Sequence, residues 1–300
     1  MDAAVRKTGL ECWDARVTPR SVQDRVDQMR AHPRFSDSIR MAARASLAGF
    51  DDSLNVDRSV NDVGRYYLGI LALYLDATGG LTHRRLRALC ARIGTFSSGR
   101  ATAILWQLRR IGYVTPATDH VNGSMRVYLP TAEMTRSFRN HMRSGFQALV
   151  VVEPHIAPLL SRFDDPEIFR LFLEQLGDGA IDAATNEDAQ TKPVAKLWAR
   201  ANGLLFLQSL FMAADDGGAL PSLKPFAISV AAEARRFRCS RTHIRSLLRD
   251  IERAGFIARD AADGALCFTP LGHDTIQRFY AIGHFGMSAI VHRTLAAYGQ

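Results

Sequence analysis

The chain has no run of eighteen or more uncharged apolar residues, which removes a membrane-spanning helix from its readings. Its opening stretch, MDAAVRKTGLECWDARVTPR, lacks the apolar segment of a secretory signal, so a cytosolic chain is expected. Cysteine is scarce. Cys12, Cys90, Cys239 and Cys267 are scattered without CxxC or metal spacing, which excludes a thiolate metal site and a disulfide framework. Cys90 and Cys239 do lie beside two candidate helices, so a redox sensor stands as a minor alternative. Also missing are a phosphate-cradling glycine loop, a metal-ligand cluster and a nucleophile elbow. No enzyme, cofactor or metal is therefore expected, and His83, His120 and His243 read as surface histidines.

What is present is arginine. Almost all of the basic residues are of this type, and the formal charge is +8. Its location is informative. Thr82 to Gly112 carries seven arginines and no acid; Glu233 to Arg253 carries seven arginines and three acids. These segments hold +7 and +4, leaving −3 on the rest of the chain. Such focusing suits a polyanionic partner, against the plainer reading of a solvated helix face.

Three hundred residues suffice for two domains, and the two halves repeat a grammar. RYYLGILALYLDATGG (Arg65 to Gly80) and NGLLFLQSLFMAADDGG (Asn202 to Gly218) are apolar helices stopped by paired glycines. Each precedes a short helix, a turn and a second helix. A hairpin is then expected at Tyr113–Thr115 with Met125–Leu129, around Asn122-Gly123. Its counterpart is Phe256–Ala258 with Ala265–Thr269, around Asp263-Gly264. A further helix follows each. Upstream, HPRFSDSIRMAARASL and DDPEIFRLFLEQLG share an amphipathic pattern, and the acidic stretches GFDDSLNVDRSVNDVG and DGAIDAATNEDAQTKP read as loops. The domain boundary is placed between Gly145 and Asp165, giving units 1–150 (core 65–142) and 151–300 (core 202–282).

With Ser240 as N-cap, Ile244, Leu247, Leu248 and Ile251 fall on one helical face, while Thr242, Arg245 and Arg249 fall opposite. Val230, Ala231, Ala234 and Phe237 make a shorter amphipathic helix before it. In the first half Leu86, Leu89, Cys90 and Ile93 face inward, and Ser97 or Ser98 caps a helix with the stripe Ala101, Ile104, Leu105 and Leu108. Helices this short bury a face only by packing on a third helix. That is the helix-turn-helix arrangement, and the hairpins make it winged. ISVAAEARRFRCSRTHIRSLLRDIERAGFI and RLRALCARIGTFSSGRATAILWQLRRIGYV resemble winged helix-turn-helix transcription regulators, the latter the MarR (multiple antibiotic resistance regulator) family. The fold class expected is mainly α with small β-hairpin wings: two tandem winged helix-turn-helix domains plus linking and terminal helices. Two departures stand out. Arg238 occupies the usual turn-glycine position, and two divergent copies in one chain resemble a fused pseudo-dimer.

The resemblance implies a sequence-specific regulator of double-stranded DNA. An arginine fork fits the guanine O6/N7 edge or a phosphate, so Arg245 and Arg249 are the leading contacts, with Ser240, Arg241 and Thr242 at the helix start. The equivalent positions of the first copy include Ser98, Thr102 and Trp106, with Arg110 on the same outward face; Arg84, Arg85, Arg87 and Arg100 would hold phosphates, and His120 and Arg126 sit at the first wing. Trp106 packing on a neighbouring helix is an equal alternative. The second wing has only Arg259 as a base and grips phosphate poorly. An alternative function is a protein-interaction scaffold, favoured by that wing and by the apolar segment Phe146 to Leu160. A small-molecule effector would need a pocket near Tyr66, Tyr67, Phe206, Phe211 and Tyr280, residues with no convergent polar set. The terminal or linking helices, including the one bearing His284 and His292, are candidates for a homodimer contact.

Overall fold

Amphipathic stripes and a few turn residues account for most of the backbone. The computed structural model describes residues 19–52, 63–93, 98–117, 127–184, 189–260 and 264–299. In chain order these form α1 (Pro19–Arg30), α2 (Phe35–Asp52), α3 (Val63–Ala77), β1 (Leu81–Thr82), α4 (His83–Ile93) and α5 (Ser98–Arg110). Then come β2 (Val114–Pro116), β3 (Val127–Pro130) and α6 (Ala132–Val150). A 3-10 turn at Pro154–Ile156 leads into α7 (Ala157–Ser161), α8 (Pro166–Ala184), α9 (Lys192–Trp198), α10 (Gly203–Ala213) and α11 (Val230–Arg236). The chain closes with α12 (Arg241–Arg253), β4 (Ile257–Arg259), β5 (Leu266–Phe268) and α13 (Pro270–Tyr298). The protein is mainly helical, with two small antiparallel sheets. No helix among the described residues is long and apolar enough to cross a membrane.

One local joint is built twice. Gly112 (φ 77°) and Gly255 (φ 74°) end α5 and α12 in the left-handed region that glycine enters without steric cost. The next N–H groups, of Tyr113 and Phe256, reach back to Leu108 O at 2.8 Å and Ile251 O at 3.1 Å. Thr131 and Thr269 then cap α6 and α13. Each hydroxyl accepts from a first-turn N–H, of Met134 or Gly272, and donates to the carbonyl of Gly112 or Gly255. A cap of this kind stabilises by about 1 kcal/mol.

The sheets carry one strand more than the expected hairpins. β3 lies between β2 and β1, pairing Thr115 with Leu129 and Leu81 with Tyr128. β4 pairs with β5 through Ala258 and Cys267, and a single bridge from Phe226 to Leu266 stands where β1 stands in the first sheet. The Asn122-Gly123 and Asp263 turn positions lie outside the described residues. The two stretches read as acidic loops are helical at their described ends: α2 runs to Asp52, α3 starts at Val63, α8 continues to Ala184 and α9 starts at Lys192.

The halves interleave. α2 packs on α6 and also on α10; α8 packs on α13 and also on α3. α1 crosses to α13, and the Pro154–Ile156 turn, which follows α6 directly, packs on both α6 and α13. Each half thus supplies its leading helix to the other half's central helix, and one continuous apolar core results. At the α3–α8 crossing a Cβ on Gly177 would lie 2.1 Å from the Tyr74 ring, so glycine permits the approach. The Tyr74 hydroxyl then donates to Asp178 Oδ1 at 2.9 Å. α6 passes Gly145 unbroken, and the apolar segment Phe146 to Leu160 is used internally. Phe146, Leu149, Val152, Ile156 and Leu159 are buried, and Phe146 meets Phe163 and Phe172 edge-on at 5.0 and 5.3 Å. α13 is one helix of about 44 Å by helical rise, packed on α8 and α1.

Candidate nucleic-acid interface

The arginine-bearing helix α12 starts as its sequence requires. Ser240 is extended (φ −73°, ψ 149°), and its hydroxyl accepts from His243 N–H at 3.1 Å. Ile244, Leu247, Leu248 and Ile251 are buried, which turns Arg241, Thr242, Arg245, Arg249 and Arg253 outward, all exposed. Two acids share this helix, and both are occupied at its flanks. Asp250 pairs with Arg200, whose guanidinium also donates to Ser246 Oγ at 3.2 Å; Glu252 pairs with Arg259 at 2.8 Å. The outward guanidinium row is therefore not neutralised by its own helix. Within that row Arg249 Nε makes only a long contact, 3.4 Å, to the Arg245 carbonyl.

The preceding helix α11 is capped by Ser229, and Ala234 and Phe237 are buried beneath it. Arg238 makes the turn at φ 50°, a left-handed conformation that costs a non-glycine residue roughly 1–2 kcal/mol. The turn is held from below: Asn202 Nδ2 donates to Phe237 O at 3.3 Å, and His243 Nε2–H donates to Ala201 O at 2.9 Å. His243, expected at the surface, is half-buried and positions the helix start. A cavity of about 390 Å³ behind this turn is lined by Phe50, Ala201, Asn202, Phe237, Arg238, Cys239 and His243.

In the first copy Ala101, Ile104, Leu105 and Leu108 are buried on α5, and Leu86, Leu89 and Cys90 on α4. The turn residues 94–97 and the side chains of Ile93, Ser98 and Arg100 lie outside the described set, as do the wing residues His120 and Arg126. The matched hydrogen bonds at the two glycine joints put Leu108 and Ile251 in register. Ala101, Ile104 and Leu105 then coincide with Ile244, Leu247 and Leu248. On the outer face Gly99 coincides with Thr242, Thr102 with Arg245, Trp106 with Arg249 and Arg110 with Arg253. Trp106 is 67% exposed, so it does not pack on a neighbouring helix. The Arg109 guanidinium lies 5.8 Å from its ring centroid. Gly99, Ala103, Arg109 and Arg110 are exposed beside it, and Arg84 and Arg87 are exposed on α4. Thr102 is half-buried, its hydroxyl 2.7 Å from His83 Nε2.

Arg85 has another task. Its Nη1 donates to Leu75 O (3.1 Å) and Gly80 O (2.5 Å), and its Nη2 to Thr78 O (2.9 Å) and Thr78 Oγ1 (3.3 Å). It thereby satisfies the open carbonyls at the end of α3, the place where a cation opposes the helix dipole. Placed among the phosphate-binding arginines by its neighbours in sequence, it belongs to the scaffold. Arg200 was missed for a related reason: its partner Asp250 lies fifty positions away, with no spacing to betray it.

Cys90 is buried, and burial pushes its thiol up to about 11, away from the reactive thiolate that a redox sensor requires. Burial also raises Cys239. Phe206, Phe211 and Tyr280 are buried core residues; the side chains of Tyr66 and Tyr67 lie outside the described set. No group of three or more metal-ligating side chains occurs among the described residues. Compared with family models, curated proteins and solved structures, the chain matches none.

Proposed function

We propose that the protein is a double-stranded DNA-binding transcription regulator, with two tandem winged helix-turn-helix units whose outward helices, α5 and α12, are unlike each other. The observation that carries the reading is the uncompensated guanidinium row Arg241, Arg245, Arg249 and Arg253 on the exposed side of a helix anchored by its other face. A short capped helix, a turn and a longer capped helix, followed by a small hairpin, present that row as a rigid rod. Such a rod fits the major groove, where arginine binds guanine edges or phosphates with paired hydrogen bonds. The order of elements and the hydrogen-bonded joint recur in both halves, which supports the tandem reading. The interleaved packing supports treating one chain as a self-contained pseudo-dimer.

Fluorescence anisotropy with a labelled duplex from the promoter region of the same locus tests this. If about six arginines meet phosphates, affinity falls by roughly 10³ between 50 and 200 mM salt. Arg245→Ala with Arg249→Ala weakens binding to that duplex and relaxes the sequence preference. Binding that ignores both salt and this double substitution rejects the reading.

A second reading, a protein-docking scaffold, has two observations in its favour: the second wing with Arg259 as its only base, itself paired with Glu252, and the exposed Trp106. The apolar Phe146 to Leu160 segment no longer supports it, since its large residues are buried inside the chain.

A further inference from the structure

We propose, resting on the DNA-binding reading, that α5 reads thymine methyl groups through Trp106 while α12 reads guanine edges through Arg245 and Arg249. One chain then recognises a non-palindromic duplex with a thymine-bearing half and a guanine-bearing half.

The argument starts from register. The Leu108–Tyr113 and Ile251–Phe256 backbone hydrogen bonds, each closed by a left-handed glycine, fix the two helices against equivalent scaffolds. Four buried positions coincide, so the outer positions must coincide too. At the site where α12 presents the Arg249 fork, α5 presents an indole, 67% exposed. A guanidinium offers donors to O6 and N7 of guanine; an indole face offers none. It complements the one apolar group that a base pair shows in the major groove, the thymine C5 methyl.

The rest of the α5 face fits that task. Its outward stripe runs Gly99, Ala103, Trp106, Arg110, at spacings of four, three and four. A Cβ added at Gly99 would meet nothing within 4 Å, so this end of the helix is open and without bulk. A backbone so bare approaches base edges closely, which a large ring near the middle of the helix needs if it is to lie flat on a methyl group. Arg109 holds its cation 5.8 Å from the ring centroid, Arg110 is exposed on the same stripe and Arg84 and Arg87 are exposed on α4, without an acid anywhere from Thr82 to Gly112. The exposed apolar group is thus set in a field that draws a polyanion. At the matched positions α12 carries the polar Thr242, Ser246 and Arg249, and it presents Arg245 where α5 has the half-buried Thr102. Because the two outer faces differ at the Gly99/Thr242, Thr102/Arg245 and Trp106/Arg249 levels and share only the arginine at Arg110/Arg253, the two halves of the target are not copies of each other.

The test uses the full chain and duplexes that it selects from a randomised library at 50 mM salt. The selected sequences are expected to fix thymine in one half and guanine in the other, with no dyad. Replacing the fixed thymines by deoxyuridine removes only the C5 methyl groups, and this weakens wild-type binding by roughly fivefold or more, the scale of one base-edge contact. Trp106→Ala, whose fold is checked by its melting curve, binds the thymine and uracil duplexes equally. Arg249→Ala still distinguishes them but responds less than the wild type to 7-deazaguanine in the other half. Wild-type indifference to the thymine-to-uracil exchange overturns the proposal, as does a Trp106→Ala variant that keeps the preference. These outcomes leave the DNA-binding reading standing. A chain that selects no duplex at all overturns both.

Discussion

Arg40 and Asp215 form a two-point ion pair between the halves: Nε meets Oδ2 at 2.8 Å, and Nη2 meets Oδ1 at 2.9 Å. Both side chains are largely buried, and Arg40 also donates to Gly218 O at 3.0 Å. The pair fastens α2 of the first half to the end of α10 in the second. The hydrogen bond from Arg40 holds the Asp215 carboxyl below the usual carboxylate range. Removing the cation alone leaves the largely buried carboxylate with only the longer Arg44 contact at 3.5 Å and the Gly217 N–H at 3.0 Å, a loss of up to about 3 kcal/mol. Arg40→Met should therefore lower the urea midpoint strongly, whereas Arg40→Met with Asp215→Leu should recover much of the loss. Equal losses in the single and double variants would show that the pair is not the fastening. Because the folded carboxyl titrates below the unfolded one, its contribution is present above the ordinary Asp range and disappears as pH falls through the folded value. The wild-type advantage over the double variant should shrink accordingly.

Arg85 and Arg87 lie two positions apart on α4 and, under the proposed DNA-binding function, separate stability from binding. Arg85 satisfies the last carbonyls of α3, while Arg87 is exposed. Arg85→Ala should destabilise the fold by about 1–3 kcal/mol, the cost of leaving hydrogen-bond acceptors unmatched, and change the salt slope of DNA binding little. Arg87→Ala should leave the melting temperature in place and lower the salt slope by about one. Melting curves and anisotropy titrations on the same two variants decide the assignment. The opposite pattern would return Arg85 to the phosphate set.

This contrast marks what the amino-acid order made legible. Burial stripes such as Ile244, Leu247, Leu248 and Ile251 repeat at helical spacing, and the glycines at 112 and 255 sit where a helix must stop; both signals are local. The strain at Arg238 was legible for the same reason, as a bulky residue in a glycine place. β1 and the Phe226 bridge were not, because one or two residues carry no period. The reciprocal crossing of α2 and α8, the Arg200–Asp250 pair and the role of Arg85 depend on partners brought together only by folding, and an arginine destined for a helix end looks the same in sequence as one destined for solvent. Trp106 was legible as an outward position but not as an exposed one, since an unseen neighbour could have covered it.

The crossing at Gly177 predicts a coupled effect. Alanine there would drive its Cβ into the Tyr74 ring. Overpacking of this kind costs about 1–3 kcal/mol. Gly177→Ala should lower stability, and the same substitution in a Tyr74→Ala background should cost clearly less, since the obstructing ring is gone. Additive losses in the double-mutant cycle would mean that the two helices do not meet through this pair.

Two histidines on α13 make the fold acid-sensitive. His284 Nε2 lies 2.7 Å from Ser38 Oγ, and that hydroxyl donates its proton to Ala148 O, so the imidazole must donate in turn and is the neutral Nε2–H form. The Phe35 and Tyr280 rings meet it edge-on. Burial pushes His284 down from 6.5 to about 4. His292 is likewise lowered to about 4, first by burial and then by repulsion from His155, against which it stacks at 4.5 Å, and from Arg25. Above pH 6.5 these imidazoles are neutral in both folded and unfolded chains and contribute no pH dependence. Below it the unfolded chain binds protons that the folded chain refuses until about pH 4, so stability must fall across that window. Denaturation midpoints measured from pH 8 to 4 should be flat down to about 6.5 and then decline. His292→Gln should remove part of the decline while leaving the value at pH 8 nearly unchanged, because a neutral amide does not titrate. A decline of unchanged size in that variant would assign the acid sensitivity to other groups.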